Sequence, residues 1–166
     1  QETDGKVRSF LQEAIEIKEL CKKYNVPFVI NDNVDIAIKM DADGVHVGQS
    51  DIDAKSARKL IGEDKILGVS ARTIEEAKRA KEDGADYIGI GAMFSTSTKL
   101  DAKSVSFETL KEIKDNVDIP FVLIGGINLG NVEKLKQFNP DGYVIISAIL
   151  KEEDIYAEVK KWLDVI

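Results

Sequence analysis

Short apolar runs and stretches of helical apolar spacing alternate six times along this chain, and no other feature restricts its fold as much. The runs lie at 27–31, 43–47, 66–70, 86–90, 120–124 and 142–146, and helical spacing follows each. Val7, Phe10, Leu11, Ala14, Ile17, Cys21 and Tyr24 predict one amphipathic helix over 7–24 ahead of them. Strict alternation of this kind implies a parallel sheet with right-handed crossovers. That leaves an open doubly wound sheet or a (β/α)8 barrel.

The last two rounds favour the barrel. Gly125-Gly126 follows one strand and Ser147-Ala148 the next, each ahead of a helix start, where backbone N–H groups can hold phosphate. TIM barrels commonly bind phosphate after their seventh and eighth strands. The expected fold is therefore an α/β TIM (β/α)8 barrel type, here an incomplete barrel with about six parallel strands. The first two strands and the first helix would be missing, leaving an unpaired edge on each side of the gap. Helices 7–24 and 152–166 would then expose apolar faces, which favours self-association through the open side of the barrel.

Chemistry gathers at the strand ends. The run Pro27-Phe28-Val29-Ile30 stops abruptly in Asn31-Asp32, and Val45-His46-Val47 leads through Gly48-Gln49-Ser50 to Asp51. Two carboxylates on one rim suit a hard divalent cation such as Mg²⁺, which takes one or two protein carboxylates and leaves its other positions to water and phosphate oxygens. Taken singly, each has a plain structural alternative: Asp32 as a helix cap, Asp51 as the start of a turn. At the opposite ends, Asp43, Asp86 and Asp141 recur at strand entries and read as structural. Thr73-Ile74-Glu75-Glu76 reads as a capping box, and Asn128 as the cap of a helix bearing Val132, Leu135 and Phe138. Ile155, Val159, Trp162, Leu163 and Ile166 line the last helix.

The totals exclude several classes. At 166 residues the chain fits one domain, 1–166, and a net charge of −7 gives no electrostatic footprint for nucleic acid or acidic membranes. No apolar run approaches the roughly 20 residues of a membrane span. The single Cys21 has no partner for a disulfide and reads as a small core residue, which points to a cytoplasmic setting. His46, inside a strand, reads as a core or supporting residue.

Ile30-Asn31-Asp32, Gly44 to Asp51, Gly68-Val69-Ser70, Thr96-Ser97-Thr98-Lys99, Ile124-Gly125-Gly126-Ile127 and Ile146-Ser147-Ala148 together resemble the thiamine-phosphate synthase family in order and spacing. The resemblance covers nearly the whole chain. It implies a Mg²⁺-dependent transferase that couples hydroxymethylpyrimidine diphosphate to thiazole phosphate, giving thiamine phosphate and pyrophosphate. By the family pattern Asp32 and Asp51 bind the metal. Asn31, Ser70 and Lys99 contact the pyrimidine diphosphate, with Ser70 and Lys99 the catalytic contacts. Thr96, Ser97, Thr98, Gly126, Ile146 and Ser147 hold the thiazole phosphate. The implied partners are small phosphate substrates.

The family pattern also places an Arg and a Lys, in a Gln-x-Arg-Glu-Lys type motif, ahead of the present Gln1. It usually has proline at Ser95 and glycine at Ser106. Without that motif, inactivity of this chain alone stays open. Two alternatives stand beside the transferase. One is a relative acting as a thiazole tautomerase, which shares the phosphate turns and does not need the metal carboxylates. The other is a non-catalytic phosphate-binding fragment.

Overall fold

The computed structural model describes residues 3–95 and 104–166, with side chains in the first helix from residue 10 onward. Its six strands are parallel and follow chain order. The chain parts into two compact units, Gln1–Val69 with Glu82–Asp86, and Ser70–Lys81 with Tyr87–Ile166.

The first unit holds α1 (Thr3–Tyr24), β1 (Val29–Asn31), α2 (Val34–Lys39), β2 (Gly44–Val47), α3 (Ala54–Ile61) and most of β3 (Ile66–Ala71). β2 lies between β1 and β3, with Asn31 opposite His46 and Val47 opposite Val69. Val45, Val47 and Leu67 are fully buried, as the uninterrupted apolar runs require of strands covered on both faces. Gly44 has a steric reason to lack a side chain: a β-carbon there would lie 2.4 Å from the Ile66 carbonyl oxygen.

α1 starts four residues earlier than predicted and buries less. Its covered strip is Leu11, Ala14, Lys18 and Cys21, while Phe10, Ile17 and Tyr24 from the predicted stripe are exposed, Tyr24 at 66%. Lys18 belongs to the strip because its ammonium reaches down to the Met40 and Asp41 carbonyls at 2.5 and 3.1 Å. The covered face thus runs along Lys18 and not along Phe10 and Ile17. Cys21 is half-buried rather than a core residue.

The second unit holds most of α4 (Ile74–Glu82), then β4 (Tyr87–Ile90), α5 (Phe107–Asn116), β5 (Phe121–Ile124), α6 (Glu133–Lys136), β6 (Gly142–Val144), α7 (Ser147–Leu150) and α8 (Ile155–Leu163). β5 lies between β4 and β6. Ile88, Ile90, Leu110, Ile113, Leu123, Val132 and Leu135 form its core, with Phe107 packed against Phe94 and Phe138 at ring centroid distances of 6.3 and 5.3 Å. Among the described residues no helix is long and apolar enough to cross a membrane.

The helices of this unit depart from the sequence pattern in three places. Asn128 does not cap α6: its side-chain oxygen accepts from Gly130 N at 2.9 Å and folds 128–132 into turns, which leaves a helix of four residues. The capping box is half realised, since Thr73 Oγ1 accepts from Glu76 N at 3.2 Å while the Glu76 carboxylate turns to Arg72 N at 2.6 Å. α8 buries Glu158 and Trp162, leaving Ile155, Leu163 and Ile166 exposed. The buried carboxylate of Glu158 accepts from Lys161 Nζ at 2.8 Å, and that ammonium stays at the surface.

The strand-entry aspartates do have a common structural job. Asp43 Oδ2 accepts from Phe28 N at 2.7 Å, Asp86 Oδ2 from Leu67 N at 2.7 Å, and Asp141 Oδ2 from Phe121 N at 2.9 Å. Each aspartate's own N–H donates back to the carbonyl of the same residue, at 2.8 to 2.9 Å. Every second strand is thus clamped to its predecessor at the entry end.

Side-chain caps start two further helices. Asp53 caps α3 through Ser56 N at 2.9 Å, and Ser106, where the family pattern usually has glycine, caps α5 through Thr109 N at 3.1 Å. The Ser56 hydroxyl and then its N–H hold the Asp53 carboxyl below its usual range. The folded protein therefore favours the charged form. The resulting stability is present above the unfolded value of about pH 3.9 and is lost as pH falls through the lower folded value. Asp53→Asn keeps the cap without the titration, so its melting temperature is expected to fall less steeply below pH 4 than that of the parent chain. Parallel slopes in thermal melts between neutral and acid pH would refute this.

Candidate functional site

In the first unit, β1 ends at Asn31 and the ladder runs one bond further, with Asp32 N donating to the His46 carbonyl at 2.8 Å. Asp32 then takes a left-handed φ of 65°, which turns the chain off the strand. Asparagine and aspartate tolerate that region better than other residues with a β-carbon. Asn33 follows and caps α2, its side chain accepting from Ile36 N at 3.0 Å. The helix cap is thus Asn33 and not Asp32, whose carboxylate stands exposed past the strand end.

Asp51 lies four residues after the end of β2. Its Oδ2 accepts from Gly48 N at 2.7 Å and its N–H donates to the Gly48 carbonyl at 3.2 Å, so the turn expectation holds for it. The turn also aims the carboxylate back towards the strand end. The cap of α3 is Asp53, two residues on. Asp32 and Asp51 therefore stand beyond the ends of two hydrogen-bonded parallel strands, and neither caps a helix. A β-carbon at Gly48 would sit 3.1 Å from Asp51 Oδ2, so a residue larger than glycine would press on that carboxylate.

Two hard oxygen donors on adjacent strand ends fit Mg²⁺, which keeps several positions for water and substrate phosphate. Among the described residues no group of three or more His, Cys, Asp or Glu gathers into an all-protein cage. His46 is half-buried in β2 and supports Asp32 through its carbonyl.

In the second unit the rim is built from the loop after β4 and the turn after β5. Met93 N donates to the Ile124 carbonyl and Phe94 N to the Gly125 carbonyl, both at 3.0 Å. Val105 N donates to Ala92 O at 2.8 Å. Both described flanks of the 96–103 stretch are thereby fixed at this rim. Gly125 and Gly126 have φ of 94° and 67°. A β-carbon on Gly126 would lie 2.6 Å from the Ser95 carbonyl oxygen and 2.7 Å from that of Phe94, so close backbone approach and conformation both demand glycine.

Ile146 stands at the N-cap position of α7 and Ser147 opens that helix. Ser70 is half-buried in β3, one residue before its end. Thr96, Ser97, Thr98 and Lys99 lie outside the described residues. Asn131 has no place in the sequence reading, yet its side chain donates to the Gly126 carbonyl at 2.9 Å. The available signal was a second asparagine three residues after Asn128 in the turn that follows Gly125-Gly126.

A family model described as thiamine monophosphate synthase matches residues 1–149. The chain is 66% identical over 162 residues to a thiamine-phosphate synthase of Clostridioides difficile, covering 98% of this chain and 77% of that protein. It is 57% identical over 148 residues to one of Clostridium tetani, covering 89% and 71%. Among solved structures, a thiamine phosphate pyrophosphorylase from Pyrococcus furiosus superposes with a TM-score of 0.84 at 35% identity, covering 95% of this chain and 77% of that one.

Proposed function

The chain belongs to the thiamine monophosphate synthase family, and from that premise we propose that Asp32 and Asp51 hold Mg²⁺ for the family reaction. The protein is a transferase: it couples hydroxymethylpyrimidine diphosphate to thiazole phosphate, giving thiamine phosphate and pyrophosphate. The observation that carries the activity is its likeness, over nearly the whole chain, to proteins of that name. What supports the metal assignment is the pair of carboxylates past the ends of β1 and β2 with the helix caps taken by their neighbours.

When bound, Mg²⁺ supplies charge neutralisation at the leaving pyrophosphate. The C–O bond to the pyrophosphate breaks with its electron pair going to the leaving oxygen, and the thiazole nitrogen's lone pair forms the new C–N bond. No side chain has to act as nucleophile, so the protein's work is to orient two substrates and support separated charge. Asn31 and Ser70 orient the pyrimidine diphosphate by hydrogen bonds, and Lys99 adds positive charge to it. Gly126, Ile146 and Ser147, with Thr96, Ser97 and Thr98, seat the thiazole phosphate. Gly126 lets the turn pack against the Phe94 and Ser95 carbonyls, which sets where its backbone stands at the rim.

The reading places this chemistry in the cytoplasm, in keeping with one half-buried cysteine. It also has copies of the chain associating through the exposed apolar residues of α1, Phe10, Ile17, Leu20 and Tyr24. A sedimentation profile independent of concentration would remove that last point.

Supplying both substrates with Mg²⁺ is expected to yield thiamine phosphate, and a chelator to stop it. Calorimetry is expected to show pyrophosphate binding only with Mg²⁺ and thiazole phosphate binding with or without it. Turnover of thiazole phosphate alone, indifferent to chelator, would replace the transferase by a tautomerase. Metal-independent pyrophosphate binding would overturn the roles of Asp32 and Asp51.

A further inference from the structure

We propose that Asn131 is the positioning residue of the phosphate turn, its carboxamide fixing the peptide plane between Gly126 and Ile127 so that a backbone N–H faces the ligand. The inference rests on the reading of Gly126 as a holder of the thiazole phosphate.

Two consecutive glycines at positive φ make a turn that backbone sterics barely restrain, and such a turn needs an outside contact to hold one conformation. Asn131 provides it. Its Nδ2 donates to the Gly126 carbonyl at 2.9 Å and its Oδ1 accepts from Asn128 N at 2.9 Å, so one half-buried side chain ties two points of the 126–128 backbone together. Asn128 Nδ2 reaches the same carbonyl only at 3.4 Å, and its oxygen is occupied with Gly130 N. The shorter bond, and the bridging one, belong to Asn131.

A trans peptide points its C=O and N–H in opposite directions. Drawing the Gly126 oxygen towards Asn131 therefore sends the Ile127 N–H the other way. Among the described residues neither Gly126 N–H nor Ile127 N–H has a hydrogen-bond acceptor. Two adjacent N–H donors with no acceptor among the described residues are what an anion at this turn would bind. Asn131 acts on the substrate only through this turn.

Asn131→Asp keeps the acceptor for Asn128 N and exchanges the donor for an oxygen that repels the Gly126 carbonyl. Asn128→Asp places the same charge nearby and keeps the acceptor for Gly130 N, so it controls for charge alone. By calorimetry with thiazole phosphate, the first is expected to raise Kd at least tenfold and the second less than threefold. Mg²⁺-dependent pyrophosphate binding is expected to stay within twofold in both. Neutral Asn131→Ala serves the same comparison if the aspartate variant does not fold. Equal losses in the two aspartate variants, or a lower melting temperature of Asn131→Asp with unchanged Kd, would overturn the proposal. Absence of thiazole phosphate binding by the parent chain would instead overturn the phosphate-turn reading on which it rests.

Discussion

Asp32→Asn is expected to lower the Mg²⁺-dependent rate by at least about a hundredfold while leaving the melting temperature within about 2 °C of the parent. A metal clamp on a phosphate oxygen stabilises the transition state by several kcal/mol, and about 1.4 kcal/mol corresponds to tenfold in rate. The substitution removes one negative charge from the proposed metal site and keeps the shape of the side chain. Asparagine accepts the left-handed φ of 65° as readily as aspartate does, and the Asp32 N–H bond to His46 O is a backbone bond that persists. Alanine at this position would add backbone strain to the loss of charge and blur the result. Steady-state kinetics across a Mg²⁺ titration, beside a thermal melt, separate the two effects. An Asp32→Asn protein at full rate with an unchanged metal requirement would remove Asp32 from the site.

The substitution leaves the helix cap in place because the cap is Asn33, and that was hidden in the sequence. Asp32-Asn33 and Asp51-x-Asp53 each offer two candidate caps before a helix, and composition alone ranks them equally. The backbone decides. Asp32 is still leaving the strand at positive φ, whereas Asn33 has the extended φ and ψ, −115° and 93°, from which a side chain can reach back to Ile36 N.

Strands were the most legible elements, and β2, β3 and β4 most of all, because runs buried on both faces read as continuous apolar segments. Helix faces were less so. The covered face of α1 includes Lys18, whose ammonium reaches two carbonyls, and α8 turns Glu158 inward, two tertiary contacts that periodicity does not encode. α7, with four residues, is shorter than any window in which a helical period can be seen. The strand-end aspartates were legible by contrast, because both the clamps at Asp43, Asp86 and Asp141 and the rim carboxylates follow from where a strand starts or stops.

Arg58 is a stabilising element that the sequence did not reveal. It sits in the last turn of α3, where a cation normally faces solvent and complements the helix dipole. Instead it is 8% exposed. Its Nε and Nη2 donate to the Gly84 carbonyl at 3.1 and 2.9 Å, Nη1 to Gly62 O at 2.8 Å and Lys65 O at 2.6 Å, and Nη2 to Asp86 Oδ2 at 2.7 Å. All five N–H donors of the guanidinium are thereby used. Three backbone carbonyls from two loops, and the aspartate that clamps β3 through Leu67 N, depend on one side chain. Gly84 completes the fit, since a β-carbon there would lie 3.4 Å from Arg58 Cγ. Arg58→Met keeps the apolar stem and strands these acceptors, so the expected loss is about 3 to 5 kcal/mol, on the order of 10 °C in melting temperature for a chain of this length. Arg58→Lys is expected to recover only a minor part, because one ammonium cannot span acceptors arranged around a planar fork. A Met variant melting within about 2 °C of the parent, or a Lys variant as stable as the parent, would show that the loops hold each other without the arginine.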